Sequence, residues 1–140
     1  MADVIYNSFK QKIMNGSIDL DTDTIKVALV TSSYTPNQDT HDNFDDVTNE
    51  VTGTGYTAGG ASLANKAVTA DTTDNEGVFD ADDVTWSSST ITARGAVVYK
   101  STGTASTSPL ICYLDFGSDQ TSSSGNFTIT WNSEGIVNLT

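Results

Sequence analysis

The chain has 140 residues, Lys+Arg 6 against Asp+Glu 18, a formal net charge of -12, one Cys and one His. So few basic residues cannot form the stripe that neutralises a phosphate backbone, which excludes direct nucleic-acid binding and disfavours anionic membrane surfaces. A lone cysteine excludes an intramolecular disulfide, and no apolar run approaches the roughly 20 residues that span a bilayer.

At the N-terminus, Asp3 is placed to cap a helix in which Ile5, Phe9 and Ile13 fall at i, i+4 and i+8 with Tyr6 and Met14 beside them, and Asn15-Gly16 supplies the stop. An amphipathic helix this short needs its apolar face packed on the domain or on a neighbouring subunit. Residues 24–31 form a strand apolar on both faces, followed by a long polar loop over 32–46 whose only large apolar groups are Tyr34 and Phe44. A short strand is expected over 47–51, a Gly-rich turn over 52–60, a strand over 61–70 and an acceptor-rich turn over 71–77. Residues 78–86 read as one bent strand or two short ones.

In the second half, residues 91–100 alternate as a long strand, 101–109 form a turn and 110–116 a strand apolar on both faces. Ser-rich punctuation is expected over 117–125, then a strand with Phe127, Ile129 and Trp131 on one face. Asn132-Ser133-Glu134-Gly135 reads as a hairpin connection into a last strand over 136–140 that ends inside the sheet. About eight strands with one helix give the expected fold class: mainly β, an antiparallel β-sandwich or jelly-roll-like barrel with one short N-terminal helix. One domain covers residues 1–140, with 1–16 as a helical segment suited to anchoring. The start, Met1-Ala2-Asp3, lacks the features of a secretory signal, so a soluble protein folded in a cytoplasm is expected.

The candidate chemistry is thin. Asp19, Asp21 and Asp23 alternate like the first half of a helix-loop-helix calcium loop, but Thr24 and Val30 stand where Gly and a bidentate Glu are required. A non-helical calcium site there, or at Asp80, Asp82 and Asp83, competes with ordinary turn carboxylates. Gly53, Gly55, Gly59 and Gly60 lack the strand, spacing and helix of a phosphate cradle and suit a turn instead. His41 has no second His or Cys with which to hold zinc, and no Gly-x-Ser-x-Gly elbow accompanies it. Cys112, within Leu110–Leu114, reads as a buried small hydrophobe rather than a nucleophile. Trp86 and Trp131 belong to the core, or else form a platform for sugar. The expectation is a non-enzymatic protein with no catalytic residue, cofactor or metal.

Several stretches resemble a family of small virion structural proteins of tailed bacteriophages. They are residues 5–10, the strand 23–36, the segment 47–60 with Glu50-Val51 and Gly55-Tyr56, residues 84–96, and Tyr113-Leu114-Asp115-Phe116-Gly117. Their order covers nearly the whole chain. The resemblance implies a virion component made in the host bacterial cytoplasm. Within that class a capsid decoration, or cement, protein on the head exterior is expected, bound to the major capsid protein or another virion protein and assembled as a homo-oligomer, with a trimer suiting three-fold positions. A tail-tube, adaptor or fibre-associated component is the rival expectation, and a glycan-binding adsorption module the third. The candidate interface residues are Ile5, Tyr6, Phe9 and Ile13 from the helix and Tyr34 and Phe44 from the long loop.

Overall fold

A computed structural model describes residues 2–140; Met1, the first residue of the expected helical segment, lies outside them. The fold is mainly β, two antiparallel sheets with one helix near the N-terminus, arranged as a β-sandwich. Strands β1 (Val4–Ile5), β2 (Ile25–Val30), β3 (Ala61–Ser62), β6 (Val84–Lys100) and β7 (Leu110–Ile129) form a five-stranded sheet in the order β1-β7-β6-β2-β3. Strands β4 (Ala67–Asp71), β5 (Glu76–Asp80) and β8 (Val137–Leu139) form the second sheet in the order β4-β5-β8. Helix α1 spans Asn7–Met14.

The period-two pattern of β2 sets up two cores. Ile25, Val27 and Leu29 face one way with Ala96, Val98 and Cys112, beneath Phe9, Ile18, Phe79, Ile136 and Val137. Ala28 and Val30 face the other way with Val97, Tyr99, Leu110 and Tyr113, and the long loop closes over them with Tyr34, Phe44 and Val47. This is why the strand is apolar on both faces: the small sheet and helix cover one side and the loop covers the other. Each fully buried Ile, Leu or Val here contributes about 1.5–3 kcal/mol.

Several sequence expectations are corrected. Asp3 does not cap the helix: Val4 and Ile5 pair with Tyr113 and Cys112 as an edge strand, and the Asp3 carboxylate accepts the Asp115 N–H at 2.6 Å. β-branched residues opposite a strand with free edge groups gain more from that ladder than from one further helical turn. The expected strand over 61–70 is two strands in different sheets, with Asn65 at φ 51° between them. No strand forms over 47–51, where Glu50 alone bridges to Val30.

The Ser-rich stretch 117–125 is not punctuation but part of β7, paired with β6 along a 20-residue strand. Hydroxyl contacts tie it to β6, Ser89 with Ser122 at 2.8 Å and Thr92 with Thr121 at 3.4 Å, and Thr85 with Thr128 at 2.9 Å continues them further along β7. Register shifts between residues 86 and 91, with Ser88 and Ser124 at positive φ, coil the ribbon. Finally, the turn after Trp131 does not make a hairpin. Burial of Ile136 and Val137 carries the chain across to β5, where Ile136 N–H donates to Phe79 at 2.7 Å, so β8 ends on a sheet edge.

Candidate functional site

The six candidate interface residues separate onto two sides of the large sheet. Tyr6 is fully buried, and its hydroxyl lies 2.8 Å from that of Tyr34, which in turn is 3.1 Å from His41 Nδ1. The Asn37 N–H also points at Nδ1, 3.2 Å away, so this nitrogen is the acceptor and the chain runs Tyr6 to Tyr34 to His41. Burial, then the contact with Tyr34, pushes the Tyr6 phenol far above its ordinary range. Phe44 stacks on Tyr99 with ring centroids 4.1 Å apart. Tyr6, Tyr34 and Phe44 therefore close the loop onto the chain's own large sheet. On the other side Phe9 is 1% exposed, Ile5 is half-buried in β1, and Ile13 is half-buried along an open groove.

The Gly-rich segment is held by a carboxylate bracket. Glu50 Oε2 accepts the Tyr56 hydroxyl at 2.6 Å and the Gly59 N–H at 2.7 Å, while Leu29 N–H donates to the Tyr56 oxygen at 3.0 Å. Gly60, at φ 78°, sits so near β2 that a Cβ would lie 1.8 Å from the Val27 carbonyl oxygen. These glycines make a close backbone approach, as a turn requires. Cys112 is fully buried, and burial pushes its thiol up to about 12, which leaves no thiolate for chemistry near neutral pH.

Three of the six acidic residues singled out by sequence have carboxylates tied into local contacts. Asp23 accepts the Asp19 N–H at 2.8 Å and pairs with Lys100 at 2.9 Å. Asp82 accepts the Asn65 amide at 2.6 Å and Asp83 the Trp131 N–H at 3.0 Å. A different set of carboxylates converges: oxygens of Asp71, Asp74, Glu76 and Glu134 lie within 4.8 Å of one another. Such an all-oxygen set is of the type that holds Ca²⁺. Asp71 already accepts the N–H groups of Thr73 and Asp74, and Glu76 accepts the Asn138 amide. Sequence reading missed the grouping because Glu134 comes from another turn, although the acceptor-rich turn over 71–77 was its visible half. Trp86 and Trp131 are each only 7% exposed, and Trp131 Nε1–H donates to the Asp82 carbonyl at 2.8 Å, so neither forms an open platform for sugar.

An open groove of about 480 Å³, mostly apolar, lies between α1 and the small sheet. Phe9, Ile18, Phe79 and Val137 floor it, Ile13, Val68 and Leu139 flank it, and Asp19 and Asp21 stand on its rim. Val68 is 50% and Leu139 60% exposed, two of the large apolar side chains left in contact with water. Chemically the site offers apolar contact edged by negative charge. Among the described residues no helix is long and apolar enough to cross a membrane. No family model, curated protein or solved structure matches the chain.

Proposed function

We propose that the protein is a non-enzymatic structural component of a tailed-phage particle, and within that class a capsid decoration protein binding between major capsid subunits on the head exterior. The observation that carries this reading is the groove: an apolar furrow edged by carboxylates, left open on an acidic protomer, suits a molecule that acts by being bound. The ordered resemblance to small virion proteins supports it. The resembling residues Glu50 and Tyr56 form the bracket of the Gly-rich turn, and Asp115 accepts the Gly117 N–H and pairs with Arg94, so the shared stretches include the chain's turn-fixing contacts. Homo-oligomerisation, with a trimer at three-fold points, belongs to the same proposal.

Copy number tests it. A decoration protein occupies many equivalent positions on the shell, so quantitative densitometry of purified particles should give hundreds of copies. A count of about a dozen or fewer would move the protein to an adaptor or fibre-associated role. Its absence from purified particles would end the virion reading altogether.

A further inference from the structure

The register of the small sheet shapes the groove. Val68, Phe79 and Val137 are cross-strand partners in one row, and Ala70, Gly77 and Leu139 are partners in the next. Residues two apart share a face, so both rows lie on the same side of the sheet. The first row is largely sealed, since Phe79 is 2% and Val137 4% exposed. The second runs out beyond the core to Leu139, and at its centre Gly77 has no side chain. A Cβ on Gly77 would meet nothing within 4 Å, and its φ is outside the left-handed region. Neither crowding nor backbone geometry requires glycine there; its effect is to leave the groove hollow.

Across from this hollow, Asp19 and Asp21 stand on the connection between α1 and β2. The side-chain contact with Asp19 raises the Asp21 carboxyl above its ordinary range, and Lys66 opposes this only in part. Two crowded carboxylates beside an apolar furrow favour a cation placed between them.

We propose that the groove seats a segment of a partner polypeptide, with two or three apolar side chains over Gly77 and a Lys or Arg between Asp19 and Asp21. The identity of that partner as a virion protein rests on the proposed function, while the chemistry of the segment rests on the groove alone. A second copy is a poor occupant of the groove, because an acidic surface would set carboxylates against Asp19 and Asp21 where the site favours a cation.

The test uses the purified full-length protein and two synthetic nine-residue peptides of alternating Leu and Val, one flanked by Lys and the other by Glu. NMR titration should show the Lys peptide shifting the amides of Val68, Gly77 and Leu139 and binding about ten-fold or more tighter than the Glu peptide. Gly77→Leu should abolish that binding with the thermal midpoint unchanged or raised, because the side chain fills open space on a strand. Leu139→Asp should produce the same loss from an exposed position, and Asp19→Asn with Asp21→Asn should erase the preference for Lys. Equal affinity for the two peptides, no binding of either at millimolar concentration, or full binding by Gly77→Leu would overturn the proposal. So would dimers in sedimentation that Gly77→Leu dissolves, which would assign the groove to a second copy. No particle enters this assay, so a failed copy-number test leaves its result intact.

Discussion

Tyr56 joins three parts of the chain through one hydroxyl, donating to Glu50 and accepting from the Leu29 N–H of a buried strand. Burial, then Glu50, drives its phenol far above the ordinary range, so it acts as a hydrogen-bonding group at any pH the protein meets. Tyr56→Phe keeps the ring against Trp86, 5.9 Å away, but leaves the Leu29 N–H and the Glu50 carboxylate short of a partner. Urea denaturation should show a loss of about 1–3 kcal/mol with an unchanged slope, the range for orphaning a buried polar group. Glu50→Ala combined with Tyr56→Phe should fall short of the summed single effects, because both remove one shared bond.

At the scale of elements, α1 and the long ribbon behave differently from their sequence appearance. The helix has eight residues, no side-chain cap at Tyr6 and no acidic residue in its first turn, so little within it favours helix over coil. Phe9 holds it, packed into the main core at 1% exposure. Phe9→Ala should therefore cost about 3–5 kcal/mol in the isolated protein. Thermal melting distinguishes a core helix from an anchor: an unchanged midpoint in free Phe9→Ala would show that its packing is dispensable to the isolated chain. The ribbon of β6 and β7 relies on paired hydroxyls and on Ser89, whose Oγ meets Trp86 O, Ser122 Oγ and Gly125 O within 3.1 Å. Polar residues can thus build a strand when backbone pairing is joined by hydroxyl contacts across the ribbon.

For the molecule as a whole, charge governs the response to acid. Asp46 is held below the usual carboxylate range by the N–H groups of Asp42 and Asn43, and Asp115 by the Gly117 N–H and then Arg94. A carboxyl depressed in the folded state takes up its proton first in the unfolded chain. Its stabilisation is full above the ordinary Asp value of about 3.9 and disappears as pH falls through the lower folded value. Asp21 is raised and acts with the opposite sign. Thermal midpoints should fall below about pH 4, and Asp46→Asn should flatten that fall because its amide no longer titrates. A midpoint in Asp46→Asn that tracks the wild type throughout would show that this loop carboxylate plays no part.

Composition and alternation by themselves determined the mainly β class, the doubly apolar β2, the burial of Cys112 and the stop of the helix at Asn15-Gly16, because those depend on periodicity and local turn chemistry. Residues 117–125 were illegible because ladder partners, not local pattern, make them a strand. Tyr6, Phe9 and Tyr34 look like surface anchors in sequence, since an aromatic in a polar stretch carries no mark of what will cover it; the tertiary structure buries all three. The groove could not be read in advance for the same reason. It exists only where β8 and the Asp19–Asp21 segment, both distant along the chain from the β4–β5 hairpin, come together with it, so that Val68, Gly77 and Leu139 share one face opposite Asp19 and Asp21.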